Sequence, residues 1–377
     1  MILLEKTVMK LMYLVALKSL KLSSRLTAIS AFISIILLTP LVKAGTIRHD
    51  TNDFFYRNLA NGFPSVGYLS ARNASGSWGC SGTLIDQRYV LTAAHCVENG
   101  GWMNQGTFWL GNQTYSVNWI GAHRNWFSTG RSLSAGVDLA VLSLVNSVTN
   151  AAPAKLYSSR DEDLKLGTYV GYGMTGTGDT GYYLNSGVKR AGQNTMGIGT
   201  RLNYSDKLLV SDIDDPRLAG PHPLSQPHSL EYQLAPGDSG GGMFIDGRLA
   251  GVHSFISSND GNTNGDYGDF SASVRVSSWT NWIQGASYYL AGLQGRSWPQ
   301  VTTSPGVTST GHGWNRQALA PLVDEFNWFD DRHSVEGVVY DVDFEKHAEN
   351  VPEPGTSLGL VSLVAISWKM LKRRKPE

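Results

Sequence analysis

From Tyr56 to about Ser287 the apolar residues fall in short runs separated by Gly, Asn, Asp and Ser, the pattern of many brief strands. Ser81–Ile85, Tyr89–Leu91, Thr114–Ile120, Leu139–Leu144 and Tyr169–Tyr172 read as strands. Met243–Ile245 and Arg248–Val252 flank Asp246-Gly247, a two-residue hairpin signal. From Ser277 the period changes. Trp279, Trp282 and Ile283 follow i, i+3, i+4 spacing, which predicts one closing helix. No internal repeat is evident. A strand-dense, glycine-rich body of about 230 residues suits a pair of β-barrels.

The two ends are patterned differently. Residues 1–44 carry a basic stretch, an apolar run from Leu26 to Leu38, and then Val42-Lys43-Ala44. Small residues at these two positions suit signal peptidase, with cleavage expected after Ala44; an uncleaved membrane anchor has the same outline. The basic region is long, so Met9 or Met12 can serve as the start. At the other end Val351-Pro352-Glu353-Pro354 precedes an apolar run from Leu358 to Leu371, broken by Lys369 and followed by Lys372-Arg373-Arg374-Lys375. That run is short for a span of roughly 17–25 residues, although Lys369 can snorkel to the interface. A membrane segment and an amphipathic helix both fit. The order of Pro-Glu-Pro, apolar run and basic end resembles the PEP-CTERM sorting tag of Gram-negative bacteria. That resemblance covers 351–375 and implies export to the surface, with an exosortase removing the tail. Residues 294–350 open on a Ser/Thr/Pro/Gly stretch and turn acidic, as a surface spacer would; Trp314, Phe326, Trp328, Phe329 and Tyr340 also permit a small appended module.

Charge sharpens this division. The 377 residues hold 31 basic and 31 acidic side chains, a formal net charge of zero. The sum hides +5 on residues 1–44, +3 on 351–377 and −8 on 45–350. An acidic body argues against nucleic acid as a partner. Charged residues are only 16%, and 42 glycines suit a turn-rich protein. Two cysteines, Cys80 and Cys96, exclude a disulfide-dense scaffold and a four-cysteine zinc site.

Three segments carry chemistry. Gly79-Cys80-Ser81-Gly82-Thr83-Leu84 runs into Leu91-Thr92-Ala93-Ala94-His95-Cys96. Val137-Asp138-Leu139 and Pro236-Gly237-Asp238-Ser239-Gly240-Gly241 follow. Taken singly, a core histidine, an acid at a strand start and a glycine turn are ordinary. Acyl transfer gives a reason to combine them. A neutral serine hydroxyl is a weak nucleophile and needs an imidazole to take its proton. The imidazole needs a carboxylate to fix its tautomer, and the developing oxyanion needs backbone N–H donors.

In the order His, Asp, Ser these segments resemble the trypsin/chymotrypsin-type serine peptidases across about residues 56–287. The resemblance implies an all-β double six-stranded antiparallel barrel with a closing helix, over a peptidase domain spanning 45–293. It implies Ser239 as nucleophile, His95 as general base and then acid, and Asp138 as orienting carboxylate. The N–H groups of Gly237 and Ser239 would form the oxyanion hole. Ser254 would stand behind Asp138, along the substrate pocket, and Cys80 and Cys96 would pair as a disulfide. Protein or peptide substrates are implied, with no cofactor and no metal. Gly171-Tyr172-Gly173-Met174-Thr175-Gly176 matches a dinucleotide fingerprint formally, but no helix pattern follows it.

The match frays at the pocket. Gln233 stands at the floor position that is Asp in trypsin, which removes the main support for a preference for Arg or Lys. His253, before Ser254 and Phe255, occurs where bacterial relatives that cleave after glutamate use an imidazole. Ala235 replaces the cysteine that vertebrate members carry near the nucleophile. No Ile-Val-Gly-Gly precedes the domain. Removal of residues 1–44 would free the Gly45 amine, one route to the pairing with Asp238 that activates family members. An exported serine endopeptidase leads; a catalytically idle binding or adhesion protein at the cell surface and an ester hydrolase are the alternatives.

Overall fold

The computed structural model of the protein describes residues 45–293, except 185, 186, 219 and 259, together with 338–340. The chain enters through strand β1 (Gly45–Ile47) and helix α1 (Asp53–Ala60). Six antiparallel strands follow: β2 (Val66–Asn73), β3 (Gly76–Asp86), β4 (Tyr89–Thr92), β5 (Gln105–Leu110), β6 (Gln113–Ala122) and β7 (Ala140–Leu144). A short helix, α2 (Arg124–Ser128), lies between the last two. Their ladder runs β6-β5-β2-β3-β4-β7, and β6 then pairs with β7 from Val117–Leu144 to Ala122–Ala140. That last pairing closes the six strands into a barrel. Leu69, Leu84, Val90, Phe108, Leu110, Leu142 and Leu144 fill its interior.

The second half contributes β8 (Leu166–Gly171), β9 (Thr175–Thr177), β10 (Gly181–Leu184), β11 (Arg190–Thr195), β12 (Gly197–Ile198), β13 (Leu208–Asp212), β14 (Tyr232–Gln233), β15 (Gly242–Ile245), β16 (Arg248–Ser257) and β17 (Phe270–Arg275). Seven of these form one sheet in the order β11-β8-β15-β16-β17-β13-β12. Here the expected second barrel is a half-barrel, because β11 does not pair with the β12–β13 edge. The free side of β11 is taken by a neighbouring segment instead: Gln193 N–H donates to Leu230 O at 2.6 Å. Across the seam the Asn194 side chain donates to the Asp212 carbonyl, so a side chain spans what a ladder would otherwise close. Tyr169, Tyr232, Met196, Leu209, Leu234, Met243 and Ile245 fill the core.

A small sheet, β10-β9-β1-β14, inserts the entering strand into the second half. β1 runs parallel to β9 and antiparallel to β14. The closing helix α3 (Thr280–Leu293) is present as expected, burying Trp282, Ile283, Ala286 and Leu290. His123 is sandwiched between Trp279 and Trp282, at ring separations of 4.5 and 4.8 Å. The Asp246-Gly247 turn has positive φ at both residues, as a two-residue hairpin requires.

Of the appended region, a three-residue strand β18 (Val338–Tyr340) is described, parallel to Ile120–Ala122 of β6. The expected signal segment, the rest of the spacer and the sorting tail with its transmembrane segment lie outside the described residues. Among the described residues no helix is long and apolar enough to cross a membrane.

Helix α1 has no counterpart among the sequence expectations. Asn52 caps it by accepting Phe54 N–H at 2.9 Å, and its inward face is Asp53, Tyr56 and Ala60. Asp53 is buried because Arg190, itself fully buried, grips both carboxylate oxygens. Breaking such a pair strands a charge in the core. Asp53→Asn should lower the unfolding free energy by about 3–5 kcal/mol, read from the denaturant midpoint. Joint replacement by Asp53→Leu and Arg190→Met should recover most of the loss, and a single variant as stable as the parent would refute this account.

Candidate active site

The site is assembled where both halves end their strands. β4 delivers the chain into a single tight turn, Ala94–Cys96, that carries His95. Asp138 immediately precedes Leu139 and β7, and Ser239 lies in the turn before β15. Ser254 sits on β16.

Asp138 is wholly buried, and each of its oxygens has a donor. Oδ1 accepts His95 N–H at 2.9 Å; Oδ2 accepts His95 Nδ1 at 2.7 Å and Ser254 Oγ at 2.6 Å. A proton on Nδ1 leaves the Nε2 lone pair free to accept another, which is the tautomer a general base needs. Burial works against the imidazolium, but the Asp138 charge and hydrogen bond outweigh it and raise the His95 pKa. Burial likewise opposes the Asp138 anion; His95 and Ser254 outweigh it and hold the carboxyl below its ordinary value. The His95 side chain keeps 30% of its surface open.

The expected disulfide is present. Cys80 on β3 and Cys96 in the His95 turn are bonded, with Cα atoms 6.1 Å apart. His95 Nε2 lies 3.9 Å from Cys96 Sγ, and that sulfur lies 3.5 Å from Ser239 O. The disulfide therefore sits between the imidazole and the backbone of the serine turn. Both sulfurs are consumed in that bond, so no thiolate remains to make Cys80, His95 and Cys96 a metal site.

The serine turn has a selective pattern of hydrogen bonds. Asp238 N–H donates to Ala235 O at 2.9 Å, Gly240 N–H to His253 O at 2.8 Å and Gly241 N–H to Asp238 O at 2.8 Å. Among the described residues the N–H groups of Gly237 and Ser239 have no protein acceptor. Ser81, missed as a functional position by sequence reasoning, ties the turn to the first barrel. Its N–H donates to Ser239 O at 2.8 Å and its hydroxyl to Gly237 O at 2.9 Å, while the hydroxyl accepts Tyr172 N–H at 3.0 Å. The halves meet so closely that a Cβ on Gly240, at φ +79°, would fall 2.0 Å from Thr92 Oγ1. No hydrogen bond joins Ser239 Oγ to His95 Nε2 among the described residues. Such bonds are commonly loose before substrate binds and tighten in the complex.

The expected pocket residues divide. Ser254 is bonded to Asp138, and Phe255 is half-buried against Tyr204 at 5.6 Å between ring centres. Gln233 is fully buried, its Oε1 accepting from Ser271 Oγ. His253 is also fully buried, stacked on Tyr169 at 5.5 Å with Nδ1 3.0 Å from Ser273 Oγ. Burial pushes its pKa down to about 3, so the ring is neutral near pH 7.

A family model described as Trypsin matches residues 57–283. The chain belongs to the trypsin family. A chymotrypsin of Phaedon cochleariae is 29% identical over 235 residues, covering 59% of this chain and 78% of that one. Chymotrypsin-like elastase family member 1 of Bos taurus is 36% identical over 138 residues, covering 30% of this chain and 48% of its own length. A solved collagenase structure aligns over 65% of this chain and 98% of its own, at 21% identity and a TM-score of 0.47. Trypsin-family membership makes the protein a serine-type endopeptidase, a hydrolase whose substrates are proteins or peptides.

The Asp138–His95 contact generates a direct test. In Ser239→Ala protein, the NMR titration of His95 should have its midpoint above the ordinary histidine value. Asp138→Asn removes the opposing charge and leaves burial dominant, so the midpoint should drop. An unchanged midpoint would mean that Asp138 does not set the protonation of His95.

Proposed function

We propose that this trypsin-family chain is an exported peptidase that cuts peptide bonds through an acyl-enzyme on Ser239. The reading is carried by one observation: a buried carboxylate orients His95 beside a serine turn whose Gly237 and Ser239 N–H groups have no acceptor among the described residues. Ser239 Oγ attacks the substrate carbonyl carbon while His95 Nε2 takes its proton. The carbonyl oxygen becomes an anion that accepts from Gly237 and Ser239, each such donor contributing about 3–4 kcal/mol to the transition state. His95 then passes the proton to the leaving amine as the C–N bond breaks. Water, deprotonated by the same imidazole, releases the acid. Because the imidazole must be neutral to start, hydrolysis should fall as pH drops through the raised His95 pKa.

Export rests on the sequence of the two ends. Signal peptidase would cut after Ala44, and an exosortase-type enzyme would remove the tail once that tail has anchored the protein at the membrane. Cys80–Cys96 fits an oxidising compartment.

The pocket is read as one for uncharged side chains. Gln233 and His253 are both sealed and neutral, so neither a carboxylate for Arg or Lys nor a cation for Glu faces the substrate. Peptides differing only at the residue before the cut should be cleaved faster with Leu or Phe than with Glu or Arg. A Glu or Arg peptide that outruns both apolar ones would overturn this specificity.

The absent Ser239–His95 hydrogen bond is the observation that suits an idle binding protein instead. A fluorophosphonate probe separates the two readings, labelling Ser239 only where the hydroxyl is activated. Ser239→Ala should lose label and cost about 10⁴-fold or more in hydrolysis, with the fold intact. Undiminished cleavage by that variant would sink the mechanism.

A further inference from the structure

Asp238, the residue before Ser239, is fully buried. Its hydrogen-bond partners among the described residues are all neutral. Gly173 N–H donates to Oδ1 at 2.7 Å and Ala235 N–H to Oδ2 at 3.0 Å. The Tyr232 hydroxyl stands across both oxygens, at 3.3 and 3.2 Å. Burial raises the pKa of this carboxyl to about 7, outweighing its three donors and the Arg190 charge, the opposite of Asp138.

Tyr232 belongs to β14, and β1 is its neighbour in the small sheet, with Ile47 opposite Tyr232 and Thr46 opposite Gln233. The chain is pinned there by Thr175 Oγ1, which donates to Gly45 O at 2.5 Å. Gly45 has φ +64°, and a Cβ on it would fall 2.1 Å from the Tyr232 ring. The ring therefore occupies the space that a side chain at residue 45 would fill. None of the three donors to Asp238 is an amino terminus.

We propose that Tyr232 holds Asp238, and through it the Gly237–Ser239 turn, in its working arrangement without a free amino terminus. Activity then does not wait on removal of residues 1–44. Tyr232 is a positioning residue: its hydroxyl touches Asp238 and no reacting atom. The proposal rests on Ser239 being the nucleophile.

The test uses the full chain in two forms. Ala44→Gln removes the small residue that signal peptidase requires and keeps the chain uncut, whereas the parent is cut to begin at Gly45. Mass spectrometry fixes the terminus of each. Tyr232→Phe, which keeps the ring and removes only the hydroxyl, is then placed in both forms. The readouts are kcat, KM and the rate of fluorophosphonate labelling.

The uncut chain should keep the kcat of the chain that begins at Gly45. Tyr232→Phe in the uncut chain should lower kcat and the labelling rate roughly 10- to 100-fold, as expected for losing a donor to a buried carboxylate, with KM little changed. In the cut chain the same substitution should cost less, because the freed Gly45 amine can supply a donor. An uncut chain that is silent while the cut chain works would overturn the proposal. So would Tyr232→Phe matching its parent in the uncut form. Silence of every form, the unsubstituted cut chain included, would instead remove the reading of Ser239 on which the proposal stands.

Discussion

The site depends on keeping one carboxylate ionised where no water reaches it. Asp138 has no exposed surface, and an isolated buried anion costs several kcal/mol even after relaxation. Three donors offset that cost: the backbone and ring of His95 and the hydroxyl of Ser254. They come from different places. His95 hangs on a turn of the closed barrel, tethered by the Cys80–Cys96 bond, and Ser254 belongs to the half-barrel. The anion is stable only when both halves are in register, so docking of the halves and orientation of the imidazole are one event.

A second buried carboxylate sits 100 residues further on and is handled in the reverse way. Among the described residues Asp238 receives two backbone N–H groups and a phenol, all of them neutral, and burial raises its pKa to about 7. Asp138, with its imidazole, is pushed down. Environments that drive like groups apart in pKa also assign them different work. The ionised one can stabilise a positive charge that forms on His95. The other is a fixed point on which the serine turn is folded.

Much of this could be read in the residues, and the part that could not has a common cause. The meeting of His95 with Asp138 beside the Ser239 turn could be anticipated because acyl transfer, the chemistry proposed for the site, demands these residue types, and the neighbours that fix their backbone are local. The Asp246-Gly247 hairpin was visible for the same reason, since two residues contain its whole geometry. Closure of the second barrel was not. It turns on whether β11 meets β13 or the 230–231 segment, a choice between two downstream partners that the residues of β11 do not encode. Helix α1 hid behind Asp53, a residue whose type predicts a surface and whose burial depends on Arg190, 137 positions away. His253 is the opposite case: its sequence position suggests a substrate contact, and the fold buries it, stacked on Tyr169.

The disulfide clarifies how the His95 and Ser239 turns are supported. It closes the loop that ends at His95, a covalent restraint of about 3 kcal/mol for a loop of this size. Ala235 leaves the serine turn without an equivalent. In its place are Ser81, with two hydrogen bonds from the first barrel to the turn and a third to Tyr172, and the cluster of donors around Asp238. Each neutral bond contributes only about 1 kcal/mol, so several are needed to match one covalent tie. They differ from a disulfide in being geometric rather than merely connective. Every carbonyl and carboxylate they fix is one less acceptor for the N–H groups of Gly237 and Ser239. A turn held by a cystine alone would be tethered yet free to satisfy its own donors internally; held as it is here, it keeps two of them open.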